Sequence, residues 1–569
     1  MHFGHRRLCI IDLSAAGAQP MHYLDRYTIV YNGEIYNYKE IREDLLKKGF
    51  RFHSQTDTEV VLAAYACYGE ACLSRFDGMF AFAIWDEAAQ RLFAARDRFG
   101  EKPFFYCRLN GRLIFASEIK ALWAAGMKKK ENLALLYNFL TVDYTGNPAD
   151  PAETFFEGVY KLPAGSLLRY HLPSRQLTTG RYWKLEISRA AEENSNKTEQ
   201  FMELLQASVQ KRLRSDVPVG TSLSGGLDSS AIVALMKKGY DSTGSIKTFS
   251  AVFPGYEKDE SRFIRSVQQK LDIENYQTSP AAKDLVADFD KLCDHQDEPF
   301  ISSSMYAQYA VFGLAKKRGV TVLLDGQGAD EILAGYNKYY HWYWQELYRT
   351  DRKKFRWETA QARRTGVGGS WSWQNRMAAF FPGIATGLQK WRREKQQRCM
   401  YGLHPEFVRA YGYSYYTLPR TDRLENVLYY NTISNGLEEL LRYADRNSMA
   451  HSREVRLPFL QHELVEFIFS LPPHWKIRDA RTKWILRNSM ENMLPAEVVW
   501  RLDKVGFEPP QQQWMQHPQM QACIREQKLR LAQAGIFKKE EIKPIKKPHE
   551  IHAAPDNDWR LLVAGKLCI

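Results

Sequence analysis

Val217-Pro-Val-Gly-Thr-Ser-Leu-Ser-Gly-Gly-Leu-Asp-Ser-Ser230, running on into Ala231-Ile-Val-Ala-Leu-Met236, reads as a strand, a tight loop and a helix. Val217, Val219 and Leu223 suit a buried strand, while Ile232, Val233 and Leu235 begin the apolar face of a helix. Between them Gly225 and Gly226 permit backbone conformations that a side chain disfavours, with Ser224, Ser229 and Ser230 alongside. A glycine loop opening onto a helix N-terminus gathers spare N–H groups at the positive end of the helix dipole. The spacing therefore predicts an anion site, with phosphate as its guest. The Gly-Lys-Ser/Thr ending of a Walker-type loop is absent, so a different nucleotide chemistry is implied.

Outward from this stretch, residues 246–253 and 320–324 are further apolar runs, each followed by a polar loop and a helical pattern. The alternation predicts an α/β domain on a parallel sheet, with ligands at the C-terminal ends of its strands. Leu323-Leu-Asp-Gly-Gln-Gly-Ala-Asp-Glu331 follows one strand with two glycines and three carboxylates. A nucleoside triphosphate brings Mg²⁺, which takes a few carboxylates plus water and phosphate oxygens, and Asp228 and Asp330 are the expected ligands. The competing reading is that Asp330 and Glu331 only open the next helix, where acids suit the dipole.

Upstream, residues 1–188 alternate short β-rich runs with turns. Tyr27-Thr-Ile-Val-Tyr31 is expected to be a strand ending at Asn32-Gly33. Met79-Phe-Ala-Phe-Ala-Ile-Trp85 with Leu92-Phe-Ala-Ala95, then Leu113-Ile-Phe-Ala116 and Ser166-Leu-Leu-Arg-Tyr170, continue an antiparallel β pattern with a few helices. A weakly patterned polar stretch at 190–198 marks the boundary, giving domains 1–188 and 189–569; 569 residues suit two cores. A hydrophobic content of 44%, a charged content of 25%, no membrane-length apolar run and no apolar leader core point to a soluble, cytoplasmic protein. The eight cysteines are scattered without C-x-x-C or zinc spacing, so reduced thiols are expected. Net charge is +13, and the basic, aromatic stretch 336–416 reads as solvated amphipathic helices in preference to a nucleic-acid face.

Ser224-Gly-Gly-Leu-Asp-Ser229 resembles the pyrophosphate loop of the ATP pyrophosphatases, which cleave ATP between its α- and β-phosphates. With Asp297-Glu-Pro-Phe300, Asp325-Gly-Gln-Gly-Ala-Asp-Glu331-Ile-Leu-Ala-Gly-Tyr336 and Glu454-Val-Arg-Leu-Pro-Phe-Leu460, it resembles the synthetase domain of the glutamine-dependent asparagine synthetases. Gly4-His-Arg-Arg-Leu-Cys-Ile-Ile-Asp-Leu13, Tyr31-Asn-Gly-Glu-Ile-Tyr-Asn37, Thr56-Asp-Thr-Glu59 and Ala95-Arg-Asp-Arg-Phe-Gly-Glu-Lys-Pro103 are similar to that family's glutaminase domain.

The resemblance implies an α+β N-terminal-nucleophile-hydrolase sandwich, incomplete at its start, followed by an α/β ATP-pyrophosphatase domain. It implies amide synthesis on aspartate through an acyl-adenylate, with ATP and Mg²⁺, ammonia or glutamine as nitrogen source, no membrane or nucleic-acid partner, and a possible homodimer. On the matching positions, Lys483 would face the phosphates and the transition state. Ser222, Ser224, Gly225, Gly226, Asp228, Ser229, Ala251, Asp325 and Gly326 would hold ATP, and Asp228 and Asp330 the metal. Arg7, Asn32, Gly33, Glu34 and Asp57 would hold glutamine, with Asn32 and Gly33 as oxyanion hole.

Two departures stand out. The family's nucleophile is an N-terminal cysteine, whereas His2 follows Met1 here; Cys9, with its amino group in a peptide bond, is expected to be a small buried residue in a strand. The chain as written is thus expected to use ammonia but not glutamine, either because the natural protein is longer or because this half is inactive. Missing first strands would leave a sheet edge or apolar face uncovered. Gln327 stands where the family often has Glu or Asp; it cannot act as a base but can hydrogen-bond an intermediate, and Glu454 is a candidate substitute carboxylate. The alternatives are a relative amidating another carboxylate, a lactam-forming relative, and a tRNA-modifying pyrophosphate-loop protein. The last is disfavoured because no cysteine lies between Cys107 and Cys293.

Overall fold

The computed structural model describes residues 1–188, 196–239, 246–369, 371–398, 402–502, 508–542 and 557–569. The expected boundary stretch falls largely on 189–195, outside the described residues.

The first half is built on an antiparallel sheet. Its strands are β1 (Met21–Tyr23), β2 (Tyr27–Ile35), β3 (Gly78–Asp86) and β4 (Arg91–Arg96), followed by β5 (Phe105–Leu109), β6 (Arg112–Ala116), β7 (Val159–Lys161), β8 (Ser166–His171) and β9 (Gln176–Arg181). Six of them form one sheet in the order β1-β2-β3-β4-β8-β9, and β6-β5-β7 form a second. The period of two explains why β3 is apolar throughout. Phe80, Phe82 and Ile84 enter one core with the helix Asp57–Tyr68, while Ala81, Ala83 and Trp85 enter another with Phe104 and Leu162 beside the smaller sheet.

The second half carries a five-stranded parallel sheet of β10 (Val219–Ser222), β11 (Lys247–Ala251), β12 (Glu274–Thr278), β13 (Val322–Leu324) and β14 (Glu454–Arg456). Its order is β12-β11-β10-β13-β14. The chain proceeds outward from β10 in one direction and from β13 in the other, so the crevice between them is the topological switch point where α/β sheets bind ligands.

Several expectations need correcting. Strand β2 runs through Asn32-Gly33 instead of ending there, because Gly33 (φ +143°) lies against β3, where an added Cβ would sit 2.1 Å from the Met79 carbonyl oxygen. Cys9 is exposed and outside any strand. Strands β12 and β14 were not anticipated. The 336–416 stretch does form helices, among them Arg352–Thr365, Trp373–Phe380 and Pro382–Arg398, but these expose large apolar side chains as well as charge. No helix among the described residues is long and apolar enough to cross a membrane.

The halves share an apolar core that runs through both, and charged pairs join them beside it. Lys102 pairs with Asp445 at 3.0 Å, Lys161 with Glu438 at 3.1 Å and Lys211 with Asp77 at 3.1 Å. Arg456 pairs with Glu454 at 2.8 Å and lies 3.8 Å from Glu34 of β2. Asp297 and Glu298 belong to this junction too, accepting the backbone N–H groups of Ile119 and Phe155 and pairing with Arg446 and Arg442.

Candidate active site

Two loops converge at the switch point. After β10, the Leu223 N–H donates to the Phe249 carbonyl at 2.9 Å, and Ser250 Oγ donates to the Leu223 carbonyl at 2.5 Å, fixing the exit of the loop. Gly225 takes φ +78°, and a Cβ there would meet Phe263 Cβ at 2.9 Å on the helix Ser261–Leu271. Ser229 Oγ accepts the Ser224 N–H at 3.2 Å, and Ser224 Oγ accepts the Gly226 N–H at 3.3 Å, curling the loop over the start of the helix Leu227–Gly239. The loop after β13 presses on it at Gly326, where a Cβ would lie 2.8 Å from Asp228 Cβ and 2.9 Å from Ser229 N.

Lys483 arrives from the far end of the chain. It adopts the left-handed backbone region (φ +54°) ahead of the helix Trp484–Met490, and its N–H donates to the Leu333 carbonyl at 3.3 Å. The turn delivers its ammonium 2.5 Å from Asp228 Oδ2 and 2.6 Å from Asp330 Oδ1. Burial pulls the ammonium pKa down, but the two carboxylates outweigh it and the net direction is upward, so Lys483 stays charged.

These groups line a cavity of about 350 Å³. Ser222, Ser224, Gly226, Asp228, Ser229, Ala251, Asp325, Gly326, Gln327, Asp330 and Lys483 all face it; of the nucleotide residues expected from sequence only Gly225 stands behind the loop. Gln327 Oε1 is buried with no hydrogen-bond partner among the described residues. Glu454 does not line this cavity, being paired with Arg456 in the junction, and Asp297–Phe300 lies in the junction too. Gly335 and Arg487 line it and were missed. Arg487 follows Lys483 by four residues and so could have been read from helical spacing. Burial lowers its pKa to about 10, and it donates to the carbonyls of Thr482 and Val499.

Burial pushes the Asp325 carboxyl up to about 6, against donation from the Gly326 N–H and the Ser222 hydroxyl and with added repulsion from Asp228. The folded chain therefore holds this proton to higher pH than the unfolded chain, so Asp325 lowers stability as pH rises from about 4 to about 6, with no further change above. Asp325→Asn removes the effect. In ligand-free denaturation the two proteins should match near pH 4, with the variant more stable near pH 7.

On the glutaminase-like side the structure joins four of the five expected residues. Asn32, Gly33 and Glu34 are consecutive on β2, and Asp57 Oδ2 accepts from the Tyr31 hydroxyl at 2.7 Å and the Ile35 N–H at 2.8 Å. Burial, with Asp57 and Glu454 nearby, pushes the Glu34 carboxyl upward against the pull of Arg456. The fifth, Arg7, spends its guanidinium on the carbonyls of Ile11, Asp12 and Ser14. Between the halves lies a smaller cavity of about 50 Å³. The helix Leu437–Ala450 separates the two, presenting Leu440 and Tyr443 to the large cavity and Glu439 and Arg442 to the small one. Burial pushes Glu439 up to about 7, against the Thr145 hydroxyl and Arg442.

Asp228 and Asp330 are the candidate metal ligands. Among the described residues no three His, Cys, Asp or Glu side chains cluster as a metal cage. Two carboxylates converging on one cationic position fit Mg²⁺, which completes its shell with water and phosphate oxygens.

A family model described as asparagine synthase matches residues 200–565, the half that holds this cavity, and one described as a glutamine amidotransferase domain matches residues 1–183. The chain belongs to the asparagine synthase family. Its curated relatives include the glutamine-hydrolysing asparagine synthetase 1 of Bacillus subtilis, 32% identical over 90% of this chain and 81% of that protein. Synthetase 3 of the same organism is 31% identical over 88% and 78%. An amidase of Penicillium rubens, chyE, is 28% identical over 90% and 81%, so the relatives of this chain carry more than one functional name.

Proposed function

We propose that this chain is an asparagine synthetase that activates the side-chain carboxylate of aspartate with ATP and displaces the adenylate with ammonia. The observation that carries the reading is the single ammonium of Lys483, held between Asp228 and Asp330 at the open end of a glycine-kinked loop. A carboxylate is a poor acylating agent until its oxygen joins a mixed anhydride with phosphate. The acid oxygen attacks the α-phosphorus, pyrophosphate leaves, ammonia adds to the acyl carbon, and AMP departs with the bonding pair.

In this reading Ser224, Gly225, Gly226 and Ser229 cradle the leaving pyrophosphate with N–H and hydroxyl groups, while Lys483 faces the charge that grows on it. Ser222, Ala251, Asp325 and Gly326 border the rest of the nucleotide. Asp228 and Asp330 would hold Mg²⁺, which when bound neutralises phosphate charge. Gln327 offers its carbonyl oxygen to the incoming nitrogen or the adenylate. Glutamine, named as hydrolysed in the names of the bacterial relatives, would be held by Asn32, Gly33, Glu34 and Asp57, with the Gly33 N–H and Asn32 amide directed at its side-chain carbonyl; Arg7 would have to leave its carbonyls to pair with the substrate. The small cavity beside the helix Leu437–Ala450 supports an internal route for ammonia.

The purified chain with ATP, Mg²⁺, aspartate and ammonium is expected to yield asparagine, AMP and pyrophosphate in equal amounts. No pyrophosphate with aspartate, but pyrophosphate with another carboxylic acid in its place, would redirect the reading to that acceptor, which Gln327 and the amidase-named relative favour as the second choice. No conversion of ATP to AMP with any acceptor would overturn both. Supplying glutamine in a separate arm tests the first half.

A further inference from the structure

Residues 352–398 contain twelve Lys and Arg against two Glu, so this stretch carries +10 of the chain's net +13. It also holds eight of the seventeen large apolar side chains exposed among the described residues. Their placement is ordered. On the helix Trp373–Phe380, Trp373, Met377 and Phe380 stand four and three residues apart; after Phe381 the series continues at Ile384, Leu388 and Trp391 on the helix Pro382–Arg398. The spacing keeps one side of each helix apolar. The two helices are separate, meeting at Phe381 (φ −124°, ψ 60°), whose N–H donates to the Met377 carbonyl and whose carbonyl accepts the Ala385 N–H. Trp373 is 70% exposed, Ile384 71% and Trp391 57%.

The opposite side is what packs on the protein. Ala379 and Gln397 are buried, and the Gln397 amide donates to Thr141 Oγ1 at 2.8 Å while accepting from Ser414 Oγ at 2.5 Å. Most of the apolar line is therefore open to solvent, while the Phe380 ring at its middle also meets Tyr348, the ring centroids 5.9 Å apart. Arg376 follows Trp373 by three residues, and Arg392 and Lys395 follow Leu388 and Trp391 by four, flanking the line with exposed cations. Lys395 Nζ lies 5.6 Å from the Trp391 ring.

We propose that this face is a peripheral docking surface for an anionic lipid bilayer. Tryptophan and phenylalanine mixed with aliphatic side chains on one side of a helix, bordered by Lys and Arg, is the pattern of helices that lie in the headgroup region. The charge selects anionic lipid. A second copy of the chain would set the same positive charge against itself. A nucleic acid would use the rings and cations but gain little from Met377, Ile384 and Leu388, which do not stack on bases. This binding is independent of the amidation chemistry above.

Co-sedimentation of the full chain with vesicles of phosphatidylcholine, with or without phosphatidylglycerol, tests it. Binding to the anionic vesicles is expected to exceed binding to the neutral ones by at least about tenfold, and to fall with salt. The double variant Ile384→Asp/Trp391→Asp, at exposed positions, should lose at least about tenfold of that binding while keeping its thermal transition. Arg392→Gln/Lys395→Gln, which spares the apolar line, should lessen the preference for anionic lipid. Absence of vesicle binding, equal binding by the Asp variant, or tighter capture of a single-stranded RNA oligonucleotide would overturn the proposal. So would a concentration-dependent dimer that the Asp variant dissolves.

Discussion

Lys483→Met is expected to slow pyrophosphate release by about a thousandfold, with the loss in kcat more than in KM for ATP. The ammonium sits 2.5 and 2.6 Å from two carboxylates, so in the absence of nucleotide its charge is already paired. Its catalytic value comes when the bridging oxygen leaves the α-phosphorus and negative charge grows in the same place. Methionine keeps an unbranched apolar stem, one atom shorter, and removes the charge together with its N–H donors. It also takes from Asp228 and Asp330 the ammonium they share, which should cost on the order of 3 kcal/mol of ligand-free stability. Rapid-quench measurement of pyrophosphate from ATP, aspartate and ammonium checks the first effect and urea denaturation the second. Undiminished pyrophosphate formation would remove Lys483 from the reaction.

Gly335→Ala should be nearly as damaging, by about a hundredfold in rate, although glycine can take no direct part in the chemistry. A Cβ at this position would lie 1.8 Å from Asp330 Oδ1 and 2.3 Å from Lys483 Cε. Both atoms belong to the pairing of Lys483 with Asp228 and Asp330, so giving way to the methyl group disturbs that pairing. The methyl group must push the carboxylate and the ammonium apart. Gly387→Ala, on an exposed helix with nothing within 4 Å of the new methyl, serves as control and should leave the rate unchanged. Equal rates for the two variants would show that the ion pair tolerates displacement.

The sequence made the phosphate loop readable because its cause is local: an apolar strand, glycines and a helix start lie within twenty residues. The hairpin of β3 and β4 was readable for the same reason. What escaped was set by distant chain. Strand β12, Glu274-Asn-Tyr-Gln-Thr278, is a polar edge strand whose Asn275 amide bonds Thr248 and Ser250 across the ladder, so no apolar run announces it. Strand β14 is three residues long and exists only because β13 lies beside it. Asn32-Gly33 is a common turn pair, yet the nearness of the Met79 backbone, not a turn, requires the glycine. Gly335 is required by Lys483, 148 positions later in the chain. Motif resemblance placed Lys483 among the candidates, whereas the left-handed turn that aims it had no signal in its own neighbourhood.

The buried pairs that join the halves have a bearing on how such a protein can change. Lys102 meets Asp445 one to one across the seam, and Arg456 lies between Glu34 of the first half and Glu454 of its own. An apolar contact tolerates a new neighbour of roughly the right shape; interlocked ions set within it reject any replacement that lacks the complementary sign at each place. Neither half is therefore an interchangeable cassette, and a transplanted nitrogen-supplying unit would need its partner's residues rewritten along with it.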